Sequence, residues 1–468
     1  MREEAIARAR AALTDGSFLA DLARLVAVRT ESQVPARPDE LAAYLSDEIA
    51  PVLASLGFEI MIFDNPVAGA APLLVASRIE SAELPTILAY GHGDVVHGHD
   101  SDWRRGQGPW QMAVEGDFVF GRGTADNKGQ HSVLIAGIAA VLSTRGSLGV
   151  NLKILIEMAE ETGSTGLRDF CIANRDLLAA DLFIGSDGPR VAAGTPTICL
   201  GSRGLANIEL RVKLREGAHH SGNWGGALAN PAIILANAIS TIIDGRGRIL
   251  VPALLPPPIA DNVRAAIADC PVGGDADDPQ IDPGWGEPEL TTPERVYGWN
   301  SFEILAMSAG NPARPANAIP PEAVALCQMR FVVGSNWQDF APAIGKHLAE
   351  SGYLMVEARQ VGDVMIPSRL DPDNAHVKWA SASIGRTLGR RPAILPNIGG
   401  GLPNDIFANE LGLPTLWIPH SYPGCRQHGP DEHALLPILE EGLAMMTGLL
   451  WDAPEHMAQF SFIHEKSL

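Results

Sequence analysis

The sequence predicts an α/β protein: a larger domain on a mostly parallel sheet, with a smaller ferredoxin-like α+β domain inserted into it. Three observations predict this. Between about residues 50 and 200, short apolar runs alternate with segments of helical period. From about residue 203 the texture changes to strict apolar–polar alternation, as in strands with one wet face. After about residue 367 the alternation of helix and strand returns, so the larger domain is discontinuous. A chain of 468 residues is also longer than one ordinary core accommodates.

Taken in order, residues 1–25 mix acids and bases on an amphipathic helical period and contain no apolar core of the signal-peptide kind. The runs TILAY (86–90), LKILIEM (152–158) and DLFIG (181–185) suit buried strands, with helices at 131–145 and 165–180 between them. Ile208, Leu210, Val212 and Leu214 then alternate with Asn207, Glu209, Arg211 and Lys213, which reads as a half-buried strand. A helix at 230–244, strands near 299–306 and 323–333, a helix at 337–350 and a strand at 353–361 complete the order βαββαβ of a ferredoxin-like sandwich. Residues 245–298, rich in Pro, Gly and Asp, read as a loop elaboration of that domain with one helix at 259–269. A helix at 375–388, a strand at 413–418 and a terminal helix from about 436 close the larger domain. The boundaries are therefore 1–202 with 367–468 for the larger domain, and 203–366 for the insert.

A net charge of −20 argues against nucleic acid or an anionic membrane surface as partner. The longest apolar stretch, near residues 133–142, is far short of a membrane span. Five cysteines, odd in number and without CxxC spacing, read as free thiols of a reducing compartment, and the expected location is cytoplasmic.

The chemistry-bearing residues stand where strand runs stop, which is where ligands bind in open α/β sheets. They are His92 and Asp94 in GHGDVV, Asp126 in GRGTADNKG, Glu160 and Glu161 in EMAEETGS, Asp187 in GSDGP and His428 in HGPDEH. His, Asp and Glu without Cys, spread over more than 300 residues, suit a hydrolytic two-metal centre; a structural zinc knot is local and thiolate-rich. Residues i and i+2 point the same way at a strand end, so Asp94 can back the ring of His92 and fix its tautomer. Each motif has a plainer reading when alone. GHGDVV reads as a surface turn, EE before TGS as a charged helix N-terminus, and His97 and His99 as solvated loop residues. GRGTADNKG lacks the Walker and GxGxxG spacings, which disfavours a phosphate loop.

In order and in combination, these motifs and the inserted domain resemble the dinuclear zinc metallopeptidase and amidohydrolase family. That family includes glutamate carboxypeptidase, carnosinase-type dipeptidases, aminoacylase, acetylornithine deacetylase and succinyl-diaminopimelate desuccinylase. The resemblance covers essentially the whole chain and implies a zinc-peptidase-like larger domain with a lid or dimerisation domain inserted. It implies that Asp126 bridges two divalent metals, with Asn127 where the family often has an Asp following a cis peptide. One metal would take His92, Asp126 and Asp187. The other would take Asp126, Glu161 and His428, in the pattern H-x-x-[DN]-E completed by Asp431 and Glu432, with His433 as the competing ligand. Such donors suit zinc, and manganese or cobalt can occupy them. Glu160 would be the general base for a metal-bridged hydroxide, and Asp94 the carboxylate behind His92.

AHHSGNWGG resembles the family stretch whose histidine reaches the neighbouring subunit's active site to hold an oxyanion; His220 is the match and His219 the alternative. ANAIPPEAVALCQMRFVV resembles the segment ending in an arginine that grips a substrate carboxylate, here Arg330, with Asn317 as a lesser candidate. GGGLPND places Gly400 and Gly401 in the loop that contacts the substrate terminus. The implied protein is a homodimeric hydrolase cleaving a peptide or N-acyl amide bond next to a free carboxylate, on a small peptide or N-acyl amino acid. An N-acyl-amino-acid deacylase or carbamoylase is the alternative, and a non-catalytic binding relative a third reading. Two departures leave the substrate open: His97 follows GHGDVV where the family usually has Pro nearby, and GPW stands at 108–110 in place of PPF.

Overall fold

The computed structural model describes residues 1–34, 37–273 and 278–464, so residues 274–277 of the predicted insertion and the last four of the chain lie outside the described residues. Its larger sheet has eight strands. They lie in the order Glu59–Phe63, Leu73–Arg78, Asn151–Glu157, Thr86–His92, Leu182–Gly185, Thr415–Trp417, Thr197–Cys199 and Ala393–Leu395. The four central strands run parallel, as do the last two. The first two strands, and the single contact between Thr415–Trp417 and Thr197–Cys199, are antiparallel. The sheet is thus mixed, with a parallel centre.

Burial explains why the central strands read as unbroken apolar runs. Ile87 and Ala89 face one core with Leu74, Ile154, Val133, Ile138, Leu443 and Met446. Leu88 and Tyr90 face the other with Leu155, Phe170, Phe183, Phe407 and Trp417. Alternate residues serve opposite faces, and both faces are covered. The helices Arg2–Thr14, Lys128–Arg145, Ala375–Leu388 and Leu436–His464 pack together on the first face. The helix expected at 165–180 is two shorter ones, Leu167–Ala173 and Arg175–Leu178. They meet at Asn174, whose side-chain amide donates to the Phe170 carbonyl at 2.9 Å, competing with the backbone for the helical acceptor.

The smaller sheet is antiparallel, in the order Ser301–Ser308, Glu322–Phe331, Gly204–Lys213 and Val356–Met365. Helices Pro231–Ile242 and Phe340–Glu350 bury Leu235, Ile239, Ile344 and Leu348 against Ile208, Leu210, Val212, Cys327 and Met329. The strand expected at 353–361 begins three residues later, because the Tyr353 amide still donates to the Leu348 carbonyl at 2.7 Å and closes the preceding helix.

Residues 245–298 differ most from expectation. Besides a helix at Asp261–Ile267 they contain a second, Thr292–Tyr297, begun by a capping box between Thr291 and Glu294. The segment is also more than an elaboration of the smaller unit. Val263 and Ile267 are buried, and the first helix lies against the edge strand Ala393–Leu395. Cys270 joins the larger unit's core, with its Sγ 3.3 Å from the Ile394 carbonyl. The apolar face of this helix needs an apolar partner, and the sheet edge needs a cover. All five cysteines are free and buried. Among the described residues, no helix is long and apolar enough to cross a membrane.

Candidate metal centre

The carboxyl ends of the central strands carry the site. His92 is the last residue of Thr86–His92. Its flanking glycines are fixed by packing: a Cβ on Gly91 would lie 2.7 Å from the His131 Cβ, and one on Gly93 would lie 2.5 Å from the Tyr44 ring. Asp94 is fully buried, with Oδ1 3.3 Å from the His92 Nδ1. Its two carboxylate oxygens also accept the backbone N–H groups of Glu160 (3.2 Å) and Glu161 (3.1 Å). The Asp94 backbone carbonyl is nearer still, 3.1 Å from the His92 Nδ1, so one residue orients the ring through its carbonyl and carboxylate and fixes the short 3-10 turn Glu160–Thr162.

Asp126 lies in the glycine-rich loop before the helix Lys128–Arg145, and the Asp126–Asn127 peptide is cis. The loop is held from across the site. Glu432 Oε1 accepts N–H bonds from Gly123, Ala125 and Asp126, each at 3.0 Å, and Glu432 Oε2 pairs with Arg122 at 2.6 Å. Asn127 donates through Nδ2 to the Ser186 carbonyl at 2.7 Å, a bond an ionised Asp at that position could not make.

These supports bring five dispersed side chains together. Asp126 Oδ1 lies 3.1 Å from the His92 Nε2, and Asp126 Oδ2 lies 3.3 Å from the His428 Nε2. Asp187 Oδ2 is 3.7 Å from the His92 Nε2, and Glu161 Oε2 is 3.1 Å from the His428 Nε2. Two groups result, His92–Asp126–Asp187 and Asp126–Glu161–His428, with the donor atoms of each within 4.8 Å of one another. Glu160 belongs to neither group. With Asp126, Asp187 and His428 it lines a cavity of about 540 Å³, whose far wall includes Val296, Tyr297, Gly400 and Gly401.

The electrostatics are those of crowded acids. Burial pushes the Glu160 carboxyl well above its ordinary range, and neighbouring carboxylates add to the shift. Burial, with Asp126 nearby, raises Glu161 to about 7 and Asp187 to about 6. Burial opposes ionisation of Asp126 too, but hydrogen bonds from His428 and His92 outweigh it and hold this acid low. His428 rises to about 10 through its bonds to Asp126 and Glu161. Both Nε2 atoms face carboxylate oxygens, so each needs a proton or a cation between. Glu161 Oε1 is buried without a hydrogen-bond partner among the described residues. An oxygen and imidazole donor set with an orphaned carboxylate oxygen fits two divalent cations.

The other expected site residues divide. His220 sits in the two-residue strand His219–His220, exposed, its Nδ1 accepting from the Gly222 N–H at 3.1 Å. Asn317 lies beside it, its carbonyl accepting from the Ser221 N–H at 2.8 Å. Neither lines the cavity of its own chain, and neither does Arg330 on Glu322–Phe331. His433 is engaged elsewhere, with Nε2 2.6 Å from the Tyr422 hydroxyl. His97 and His99 are exposed, their ring centroids 6.3 Å apart. Sequence reasoning missed the bracing by Glu432, for which the second acid of HGPDEH was the available signal. It also missed Gln427, whose Nε2 lies 3.2 Å from Asp126 Oδ2 and which nothing in the local pattern marks.

A mixed α/β sheet carrying this constellation is the frame of a metal-dependent hydrolase. Residues 88–452 match the model of Peptidase family M20/M25/M40, and the chain belongs to that family. It is 25% identical over 395 residues to the cysteinylglycine-S-conjugate dipeptidase of Corynebacterium striatum, covering 81% of this chain and 83% of that one. Over 186 residues it is 30% identical to the Beta-Ala-His dipeptidase of Mus musculus, covering 39% of this chain and 37% of that one. Among solved structures, human carnosine dipeptidase 1 shares the fold with a TM-score of 0.75 at 22% identity, covering 98% of this chain and 99% of that one. An M20 family metallo-carboxypeptidase from Sulfolobus solfataricus also gives 0.75, at 24% identity, covering 94% and 99%.

Proposed function

We propose that this chain is a dipeptidase or carboxypeptidase-like hydrolase with two zinc ions, cleaving the amide bond next to a free carboxylate in small peptides. His92, Asp126 and Asp187 would hold one cation, and Asp126, Glu161 and His428 the other. Zinc at these positions would supply Lewis-acid polarisation of a carbonyl and acidification of water. The observation that carries the reading is the placement of Asp126, one oxygen toward each imidazole, with Glu160 facing the same cavity.

The protein's own groups then do the following. Glu160 accepts a proton from the attacking water as its oxygen bonds to the carbonyl carbon. The same carboxyl delivers that proton to the amide nitrogen as the C–N bond breaks, releasing an amine and a carboxylic acid. Asp94 keeps Glu160 and His92 in place through the bonds described above. The backbone at Gly400 and Gly401 receives one end of the substrate.

We assign residues 203–366 as a lid and dimerisation unit, and His220 as an oxyanion donor delivered to a second copy's cavity. Its exposure and its absence from the lining of its own chain's cavity support a trans role. The edge strand Ser301–Ser308 supports self-association, exposing Ile304, Leu305 and Met307 beside an unpaired backbone edge. Five reduced, buried cysteines support a cytoplasmic setting.

The test compares metal-free and zinc-loaded protein on dipeptides, their C-terminal amides and N-acetyl amino acids. Zinc-dependent cleavage of free-acid dipeptides is expected. Preference for N-acetyl amino acids would move the assignment to a deacylase. Failure to bind divalent ions under any loading condition would remove the metal mechanism altogether.

A further inference from the structure

The two donor groups of the metal centre are chemically alike. Each offers one imidazole, one carboxylate of its own and one oxygen of Asp126. Any difference in their hold on a cation must therefore come from what stands behind these atoms. Behind His92–Asp126–Asp187 every residue is buried and braced. The His92 Nδ1 faces both the carbonyl and the carboxylate of Asp94, which leaves Nε2 as the donor atom and raises its basicity. Asp187 accepts the Gly188 N–H through Oδ1 and keeps Oδ2 toward His92.

Asp126–Glu161–His428 lacks that support. The His428 side chain is 55% exposed, and among the described residues its ring bonds only through Nε2, so nothing fixes its tautomer from behind. Asp126 itself is loaded unevenly. Its Oδ1 faces His92 and, among the described residues, receives no other hydrogen bond. Its Oδ2 faces His428 and also accepts an N–H of Gln427, with Nε2 at 3.2 Å. The amide is turned this way by Cys425, a buried thiol whose Sγ lies 3.6 Å from the Gln427 Oε1. A hydrogen bond to a carboxylate oxygen draws charge from it and lowers its basicity. A cation sharing Oδ2 thus meets a poorer donor than one sharing Oδ1.

We propose that the two cation positions are unequal, that the one at Asp126–Glu161–His428 is exchangeable, and that Gln427 keeps its affinity low. Gln427 is a positioning residue in this scheme, acting on the ion through Asp126. The proposal rests on the hydrolase reading above and adds a regulation to it. The protein retains the ion at His92–Asp126–Asp187, and the concentration of free divalent ion sets how much of it carries two. Exchange takes place from the cavity, because Gln427 and His428 lie in its wall.

The experiment titrates zinc chloride calorimetrically into metal-free wild type, Gln427→Leu, Glu161→Gln and Asp187→Asn, with a melting temperature recorded for each. Wild type should show two binding events per chain, with Kd values at least about 10-fold apart. Glu161→Gln should keep the tight event and lose the weak one, and Asp187→Asn should do the reverse. In Gln427→Leu the weaker Kd should fall about 10-fold and the tighter one should move less. The zinc concentration giving half-maximal dipeptide hydrolysis should fall by the same factor as the weaker Kd. Gln427→Asn, whose amide stands one carbon short, should move in the same direction and serves if Gln427→Leu does not fold. An unchanged weaker Kd would overturn the role of Gln427, and so would a raised one, which would show that its bond orients Asp126 rather than depleting it. Two equal events in wild type, or loss of the tight event in Glu161→Gln, would overturn the inequality and leave the hydrolase reading standing. Absence of any zinc binding would remove the hydrolase reading, and this proposal with it.

Discussion

Glu160 is the residue on which the proposed chemistry turns, because it is the acid that faces the cavity without joining either donor group. Replacing it by glutamine keeps shape and hydrogen-bonding reach but removes the ability to carry a proton. Glu160→Gln should therefore retain its metal by elemental analysis while kcat falls by about 10²–10⁴. Near wild-type turnover would take Glu160 out of the mechanism. The acids around it make a second prediction, for stability in the absence of metal. Glu161 and Asp187 are raised to about 7 and about 6 in the fold, above the unfolded values of about 4.3 and 3.9. The folded state then holds more protons than the unfolded chain between those limits, so stability is lost as pH rises from about 4 to about 7. His428 acts in the same sense: its contribution is complete below about 6.5 and fades as pH approaches its folded value of about 10. Its weight is smaller, since its side chain is half-exposed. Asp126, held low, has the opposite sign but acts only at more acid pH. Buried His131, His420 and His456, pushed down to about 3, 3 and 4, act in the opposite sense over this range. The contribution of the site is therefore read as a difference. Between pH 5.5 and 8, metal-free wild type should lose more melting temperature, or gain less, than metal-free Glu161→Gln. Zinc should offset the loss, because cations compete with protons for the same atoms. An equal pH response of the two metal-free proteins would contradict the crowding described here.

The loop carrying Asp126 and the segment carrying His428 are joined by a buried ion pair, which couples the two donor groups mechanically. Arg122 and Glu432 are both inaccessible, and Glu432 also receives three backbone N–H groups of the Asp126 loop. Glu432→Gln leaves Arg122 uncompensated and should cost about 3–5 kcal/mol in denaturant unfolding. Zinc should at the same time be lost more readily to a chelator. A change below about 1 kcal/mol would mean that the brace is unimportant. This pair also marks the boundary of what the sequence made legible. Strand-end residues such as His92 and Asp187 follow apolar runs, so position alone flagged them, and the two-fold alternation in Gly204–Lys213 announced the smaller sheet. Arg122–Glu432 joins residues 310 apart, and no local period encodes such a partner. Residues 245–298 were legible only in part for a related reason: the helix found at Asp261–Ile267 was expected, but the helix Thr292–Tyr297 was not. The first helix packs against Ala393–Leu395 and the second against the first, contacts absent from any window of sequence around them.

At the scale of the whole molecule, the question is how a cavity closed on one side by its own Gly400–Gly401 loop acquires an oxyanion donor. Among the residues lining it, acids and glycines are plentiful, while the cations and imidazoles are Arg190 and His428. Arg190 is already paired with Glu441 at 2.6 Å, and His428 belongs to a donor group. The neutral donors in its wall are engaged as well, Gln427 with Asp126 Oδ2 at 3.2 Å and the Tyr297 hydroxyl with the Pro271 carbonyl at 3.1 Å, whereas His220 is exposed and held in an ordered turn. The proposed delivery in trans is tested by a mixing experiment. His220→Ala and Glu160→Gln homodimers should each be nearly inactive, one lacking the donor and the other the proton carrier. A mixed dimer has one cavity with both defects and one with neither. Refolding the two variants together in equal amounts yields half mixed dimers by random pairing, so recovered activity should approach a quarter of wild type. If His220 served its own chain's cavity, every cavity in the mixture would lack one group and no activity would return. If subunits did not pair at all, sedimentation would show monomers, and the same absence of rescue would then refute the dimer as well.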